Sequence, residues 1–279
     1  MLDLEPLKVY FKDMNWVLIR GIVSEEFHWG DFVPLMKKHF KNDSVFTADI
    51  IGNGKSHKEK TPLTVSKNIE GLRRQVPAKG PKILIGFSLG GMLALEWAYA
   101  HPEEVVGVVL INTSLNSSRF YQRFQLPALA QFFRAGRPKN NSVKEQMILK
   151  LITGLPQKEI LPLAKKWRAR SAMYPISMEN FFRQFLIGAK IKQRINPPKV
   201  PILMLASEKD KIVHPDCSRR IAEAWELPLR IHRKAGHDVA VDDPDWILQH
   251  LDSWLKDNKV KKKFPPVKTQ RPQPRPKKA

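Results

Sequence analysis

One ten-residue segment constrains the fold of this chain more than any other part of it. Residues 82–91 read Lys-Ile-Leu-Ile-Gly-Phe-Ser-Leu-Gly-Gly, a strand-like apolar run that leads through Gly-x-Ser-x-Gly into a helix-like run. Gly86 and Gly90 carry no Cβ atoms that would clash across a tight turn, and Ser88 must adopt a strained backbone with its hydroxyl exposed. The segment predicts a nucleophilic serine between a strand and a helix; a Gly-rich turn without chemistry is the alternative.

Composition limits the class of protein. The chain has 279 residues, 42% of them hydrophobic, which is enough for one α/β domain with an insertion. Its single cysteine, Cys217, excludes an internal disulfide and predicts a reducing compartment. The first residues have neither the basic nor the apolar region of a signal peptide, and no apolar run approaches the roughly 18 residues that cross a bilayer. We therefore expect a cytoplasmic protein.

Strand-like and helix-like segments alternate along most of the chain. This order predicts an α/β fold with a mostly parallel central sheet and helices on both faces. The predicted strands are 16–20, 45–48, 83–85, 105–111, 202–206 and 229–232, with 9–11 as an antiparallel edge; the predicted helices outside the insertion are 29–40, 66–75, 92–100 and 245–255.

The pattern changes between residues 115 and 198, where helical stretches follow one another without strands. The predicted helices here are 120–133, 143–152, 161–172 and 178–187. Prolines at 197, 198 and 201 mark the return to the sheet, and five prolines after residue 264 oppose regular structure. The predicted organisation is a core of residues 1–114 and 199–256, a helical cap of residues 115–198, and a disordered basic tail of residues 257–279.

Positive charge is concentrated in two segments. The formal net charge is +21; residues 115–198 carry +13 of it and residues 256–279 carry +9, which leaves −1 for the rest. Such a surface attracts anionic partners, or it is solvated basic surface without a partner.

A serine hydroxyl becomes a good nucleophile when a histidine, oriented by a carboxylate, takes its proton. In a doubly wound sheet these groups come from loops at the carboxyl ends of strands. Asp210 follows the strand at 202–206, and His237 follows the strand at 229–232. The chain order Ser88, Asp210, His237 is the order found in α/β-hydrolases.

The chain resembles the capped esterases and lipases of the α/β-hydrolase family over roughly residues 16–255. The resemblance is carried by Gly-Phe-Ser-Leu-Gly-Gly at the serine, Ser-Glu-Lys-Asp-Lys-Ile-Val-His-Pro at the acid, and Ala-Gly-His with the later Asp-Pro at the histidine. It implies an α/β-hydrolase fold with the cap inserted after the sixth strand. It also implies Ser88 as the nucleophile, His237 as the general base and then acid, and Asp210 as the orienting acid.

The resemblance further implies an oxyanion hole built from two backbone N–H groups, those of Leu89 and Ile22. The family usually has a His-Gly pair before the second donor, whereas this chain has Arg20-Gly21. The backbone N–H of Ile22 does not depend on the side chain of Arg20, but that side chain adds a positive charge near the site.

Other polar and aromatic residues are weaker candidates for the site. His214, His232 and Asp49 are interpreted as structural or surface groups, Asp238 as pointing away from the site, Trp29 as packing, and His28 as packing or lining the pocket entrance. The spacing of His and Asp residues does not fit a metal site, and the glycines at 52 and 54 do not follow a nucleotide-binding pattern. We expect neither a metal nor a cofactor.

These observations predict a serine hydrolase that cleaves a carboxylic ester or thioester through an acyl-enzyme. In outline the chain is similar to the esterases that demethylate a pimeloyl chain on acyl carrier protein, so an anionic or carrier-bound acyl ester and an acidic protein partner are expected. The alternative is a catalytically weak protein of the same fold whose basic cap and tail bind an acidic partner, RNA or an anionic membrane surface. The aromatic residues of the cap form an apolar acyl pocket, or they pack its helices.

Overall fold

Six parallel strands make up the sheet of the part of the chain described by the computed structural model, residues 14–135 and 141–258. The strand order is β2-β1-β3-β4-β5-β6. The mostly parallel sheet predicted from the sequence is confirmed, while the predicted edge strand 9–11 and the predicted tail from residue 259 onward lie outside the described residues. The strands are β1 (Asn15–Ile19), β2 (Ser44–Ala48), β3 (Lys82–Phe87), β4 (Val105–Ile111), β5 (Ile202–Ser207) and β6 (Leu229–His232).

Helices connect these strands and also form the long segment between β4 and β5. They are α1 (Phe32–His39), α2 (Val65–Arg74), α3 (Leu89–Ala100), α4 (Phe120–Arg123), α5 (Leu126–Ala135), α6 (Asn141–Ile152), α7 (Gln157–Met173), α8 (Met178–Lys190), α9 (Asp216–Trp225), α10 (Val239–Asp242) and α11 (Pro244–Asp257). Short 3-10 helices occur at Glu26–Trp29 and Gly54–Ser56. Within the described residues, no helix is both long and apolar enough to span a bilayer.

Two helices differ from the prediction because of proline. The single helix predicted at 120–133 is two helices, α4 and α5. Phe124 leaves the helical conformation, and Pro127 sits in the first turn of α5, where its missing N–H costs no hydrogen bond. Conversely, α7 begins before the predicted residue 161 and carries Pro162 inside it. Helix α9, which follows the acid loop, and the short helix α10 were not predicted.

The sheet is buried on both faces, which explains why its central strands are mostly apolar. On one face α2, α3 and α9 pack through Leu93, Trp97 and Ile221 among others. On the other face α1 and α11 pack through Phe32, Leu251 and others. The carboxyl edge of the strands is left for loops.

Helices α4 to α8 lie between β4 and β5 and contact the core near that carboxyl edge. Leu149, Ile160 and Trp167 form a third apolar cluster together with Ile212 and Cys217 of the core. The helices follow the fourth strand of the described residues; a count of six depends on strands before residue 14 and stays a prediction. The boundaries of the predicted cap and core likewise stay predictions.

Candidate active site

Ser88 lies at the turn between β3 and α3, at the carboxyl edge of the sheet. Its backbone has φ 53° and ψ −119°, a conformation that residues other than glycine rarely adopt. The Ser88 N–H donates to the Ile111 carbonyl oxygen at 2.8 Å, and the Thr113 hydroxyl donates to the Ser88 carbonyl oxygen at 2.7 Å. These bonds to the end of β4 hold the strained turn that the sequence predicts.

The glycines beside Ser88 are required by close backbone approaches. A Cβ on Gly86 would lie 2.5 Å from the Gly90 carbonyl oxygen, and a Cβ on Gly90 would lie 2.5 Å from the carbonyl oxygen of Arg20. Both obstacles are backbone atoms, which cannot rotate away. The first turn of α3 is therefore pressed against the end of β1.

His237 and Asp210 meet in a buried hydrogen bond. The Nδ1 atom of His237 lies 2.7 Å from Oδ2 of Asp210. The other oxygen of Asp210 accepts hydrogen bonds from the backbone N–H groups of Ile212 at 2.7 Å and Val213 at 2.9 Å. Asp210 is thus fixed by its own loop and presents one oxygen to the imidazole.

This contact sets the tautomer of the imidazole. An ionised carboxylate only accepts hydrogen bonds, so the proton of this bond belongs to Nδ1 of His237. Nε2 then carries the lone pair and can accept a proton. Ser88 and His237 line the same cavity, so a proton acceptor and a hydroxyl share one space.

Asn112, directly after β4, was missed by the sequence analysis. It has a positive φ of 46°, and its amide joins the end of β5 to the loop that carries His237. Its Nδ2 donates to the His237 carbonyl oxygen and, at 3.0 Å, to the Ser207 hydroxyl, while its Oδ1 accepts from the Ser207 N–H at 2.8 Å. A polar residue directly after the apolar run 105–111 was the available signal.

The predicted oxyanion residues flank Ser88. Leu89 is the first residue of α3, and Ile22 follows Gly21, at which a Cβ would lie 2.9 Å from Cβ of Ser88. Ile22, Ser88 and Leu89 line one small cavity together. The backbone after β1 therefore runs beside the serine hydroxyl.

Arg20 forms a buried ion pair with Asp238. Its Nη2 and Nη1 atoms lie 2.5 Å and 3.1 Å from the two Asp238 oxygens, and both side chains are almost completely buried. The guanidinium also lies over the rings of Trp29 and Phe87 at 4.8 Å and 4.5 Å. The positive charge expected from Arg20 is paired inside the protein, and Asp238, predicted to point away, lies in the same cavity wall as His237.

Two cavities meet at Ser88. The larger, of about 320 Å³, lies between the core and the inserted helices, with Trp167, Tyr174 and Phe181 on the helical side. The smaller, of about 70 Å³, lies against α8 and contains Arg123. The walls common to both are Ile22, Ser88, Phe124 and Ile212.

The three other histidines considered as candidates from the sequence lie in different places. His28 lines the larger cavity beside Trp167, with ring centroids 4.4 Å apart; burial, and then the charge of Arg20, lower its pKa to about 3. His28 is therefore neutral near pH 7. His214 and His232 lie outside both cavities, near Asp216 and Asp243 respectively.

Three carboxyl groups gather beneath the larger cavity. Glu25 is bound by Arg170, and the Glu26 N–H donates to Asp49 at 2.7 Å. Burial, followed by the charges of Glu26 and Glu25, raises the pKa of Asp49 to about 7. Asp49 does not line the cavities, which agrees with the structural role expected of it.

A group of three possible metal ligands lies far from Ser88. Within the described residues, His101, Glu103 and Glu104 each offer one ligand atom, and these atoms lie within 4.8 Å of one another. They sit between α3 and β4, at the amino edge of the sheet, and Glu104 already pairs with Arg73. The group has no place in the chemistry at Ser88.

Comparison with known proteins gives a consistent picture. A family model described as the alpha/beta hydrolase fold matches residues 28–244. A pimeloyl-[acyl-carrier protein] methyl ester esterase of Nitrosospira multiformis is 26% identical over 249 residues, which cover 84% of this chain and 92% of that protein.

Solved structures show the same architecture. The meta-cleavage product hydrolase of Pseudomonas fluorescens aligns with a TM-score of 0.70 at 16% identity, covering 88% of this chain and 91% of that one. An esterase from Exiguobacterium antarcticum aligns with a TM-score of 0.66 at 16% identity, covering 87% and 92%. At these identities the likeness establishes a common fold.

Proposed function

The chain belongs to the family with the alpha/beta hydrolase fold, and from that premise we propose that it is a serine hydrolase of carboxylic esters or thioesters. The fold alone hosts many chemistries, so the proposal depends on the site. The observation that carries it is the 2.7 Å contact of His237 with Asp210, made at a cavity that His237 shares with the strained Ser88.

The proposed reaction proceeds in two steps. The Ser88 oxygen attacks the carbonyl carbon while its proton passes to Nε2 of His237. The bond to the alcohol or thiol then breaks, that group takes the proton from His237, and the acyl group remains on Ser88. Water, activated by His237, attacks the acyl-enzyme and releases the acid and Ser88.

In both steps negative charge collects on the carbonyl oxygen. We assign the stabilisation of this charge to the backbone N–H groups of Ile22 and Leu89. The start of α3 adds the positive end of a helix dipole. Loss of one such donor typically lowers the rate by about 100- to 1,000-fold.

Turnover of p-nitrophenyl esters of increasing chain length tests the proposal. Wild type is expected to release p-nitrophenol, and Ser88→Ala is expected to abolish the release. Asp210→Asn should lower kcat by roughly 100- to 10,000-fold with little change in KM, because an amide no longer holds His237 in the required tautomer. The control is Asp216→Asn, a partly exposed acid near the same loop that pairs with Arg219; equal losses in the two variants would contradict the role of Asp210.

A finer proposal concerns the substrate: an acyl ester carried by an acidic carrier protein. The similarity to the pimeloyl-[acyl-carrier protein] methyl ester esterase of Nitrosospira multiformis supports it, and so does the basic surface of the inserted helices. The charges available to an acidic carrier are the exposed side chains of Arg119, Lys165, Lys166 and Arg168. Arg123, on the same helices, faces the smaller cavity instead.

Replacing these four residues by glutamine tests the carrier. We expect KM for a methyl ester on acyl carrier protein to rise at least tenfold, and the salt dependence of kcat/KM to flatten, because fewer charges steer the encounter. Hydrolysis of a small methyl ester should not change. The matched control replaces four exposed lysines of the core, Lys37, Lys38, Lys41 and Lys58. The same KM in both quadruple variants would refute docking through the inserted helices.

A further inference from the structure

Arg123, the last residue of α4, lines the smaller of the two cavities at Ser88. Its Nη2 donates to the Gly188 carbonyl oxygen at 2.8 Å and lies 3.9 Å from Sδ of Met92. Its Nε approaches the Ser114 hydroxyl at 3.5 Å. All three neighbours are uncharged, so these contacts position the guanidinium without neutralising it.

Other sheltered arginines in the molecule have carboxylate partners. Arg20 pairs with Asp238, Arg73 with Glu104, and Arg170 with Glu25. For Arg123, no carboxylate partner occurs among residues 14–135 and 141–258. The smaller cavity therefore contains a positive charge that the described protein does not balance.

An unbalanced charge of this kind is costly to the folded protein. Arg123 is partly buried, and shielding a guanidinium from water without a counter-ion costs free energy; this burial lowers the pKa of Arg123. Arginine nonetheless stays charged at neutral pH. A bound anion would recover part of this cost, and the planar guanidinium matches the two oxygens of a carboxylate.

The cavity is small and opens directly on the proposed nucleophile. Its volume is about 70 Å³, whereas one water needs roughly 10–15 Å³ on the same measure, so the cavity admits a short acidic arm. Ile22, Leu89 and Ser88 form its wall on the core side. Because Arg123 and Ser88 line the same small cavity, a single substrate molecule could place its carboxylate at Arg123 and its ester bond at Ser88.

We propose that Arg123 is a specificity residue that binds a carboxylate of the substrate in the smaller cavity, beside the ester bond held at Ser88. The inference rests on the proposed esterase function and narrows it to esters with an acidic arm. The larger cavity then takes the rest of the substrate that lies near Ser88.

Matched ester pairs test this assignment. The first set contains the monomethyl esters of succinic, glutaric and adipic acid, in which the free carboxylate is on the acyl side of the ester bond. Each is compared with the methyl ester in which that carboxylate is replaced by a carboxamide. The second pair is butanoyloxyacetate beside butanoyloxyacetamide, with the acid on the alcohol side. Each pair differs only in carboxylate against carboxamide, and released acid is titrated at constant pH 7.5, where the carboxylates are ionised.

The readout is the ratio of kcat/KM for acid and amide. We expect wild type to prefer the acid at least tenfold in one of the sets, the size of a charge-assisted hydrogen bond. Arg123→Met should bring that ratio to about one, and Arg123→Lys should restore part of it. Arg134→Met, which removes the same charge from an exposed position on α5, should keep the wild-type ratio.

Two results overturn the proposal: no acid preference in wild type, or an equal preference in wild type and Arg123→Met.

If wild type hydrolyses none of the esters, the esterase function fails, and the anion site is then judged by binding. The same acids and amides are titrated into Ser88→Ala protein with and without Arg123→Met. Tighter binding of an acid that depends on Arg123 upholds the carboxylate site, and equal binding of acid and amide refutes it.

Discussion

Arg20 and Asp238 show how a single residue departs from a family pattern and is still accommodated. The guanidinium occupies the place before Gly21 where histidine is usual, and Asp238 and two aromatic rings surround it. The family pattern revealed the departure but not its partner, because residues 218 positions apart in the chain meet only through the fold.

Removal of Arg20 should destabilise the protein strongly. Arg20→Met leaves Asp238 buried without a partner, which costs about 3–5 kcal/mol of unfolding free energy. The double variant Arg20→Met with Asp238→Asn should recover part of this loss. Urea unfolding measures both. Arg194→Gln, which breaks an exposed pair with Glu96, is the control and should cost less than about 1 kcal/mol; equal losses for Arg20→Met and Arg194→Gln would contradict the account.

Asp49 should make stability depend on pH. Its pKa is raised to about 7 on folding, so its contribution is full below the unfolded value near 4 and is lost as pH rises through 7. Between pH 5 and 8 wild type should lose stability relative to Asp49→Asn, by an amount on the order of a few kcal/mol. Urea unfolding at several pH values measures the difference.

The buried His28 changes the pH dependence of stability with the opposite sign, because its pKa is lowered on folding. Wild type and Asp49→Asn both contain His28, so its effect cancels in the difference between their unfolding free energies. Glu223→Gln, a change at an exposed acid, provides the control and should leave the wild-type curve unchanged. Parallel curves for wild type and Asp49→Asn would show that Asp49 does not titrate in this range.

At the scale of elements, the junction of β3 and α3 carries the most local constraint. Gly90→Ala would push a methyl group against the carbonyl oxygens at the end of β1, and neither can move without moving the strand. We expect a loss of more than about 3 kcal/mol in unfolding free energy.

Gly188→Ala is the matched helical control. Its nearest neighbour is a terminal methyl of Leu89 at 3.3 Å, which can rotate, and alanine favours helix over glycine by roughly 1 kcal/mol. The net change at this position should stay within about 1 kcal/mol. A similar loss at both positions would mean that the glycine at 90 is not required by backbone approach.

The sequence was most informative for the elements that position the site. Period-2 and apolar runs located β4 and β6 to the residue, and the α/β-hydrolase fold is confirmed. Helix α9 was not predicted because residues 216–225 mix charged and apolar side chains directly after a proline. Its apolar face is recognisable only once the position of the sheet is known. The contacts of Asn112 and Asp238 were not predicted because their partners are distant in sequence and meet them only through the fold.

At the scale of the whole molecule, the basic tail is expected to be separable from the proposed catalytic site. A protein ending at Asp257 should keep its turnover of small esters, since it retains all of α11 and every residue assigned to the site. It should lose affinity for RNA or for vesicles of anionic lipid, because the tail supplies a net charge of +9 in the sequence after residue 255. The affinities of wild type and of the shortened protein for these ligands are measured at several salt concentrations. Undiminished binding after truncation would contradict binding by the tail and would assign the anion-binding surface to the predicted cap.

Covalent labelling with a fluorophosphonate tests the central claim most directly. Wild type, Ser88→Ala and His237→Ala are treated in parallel, and the labelled residue is located by fragmentation of the tryptic peptide 83–119. The account predicts a label on Ser88 in wild type, no label in Ser88→Ala, and labelling slowed by orders of magnitude in His237→Ala. An unlabelled wild type, or equal labelling of wild type and Ser88→Ala, would contradict a nucleophilic Ser88, and binding through the basic surfaces would become the better account of the protein.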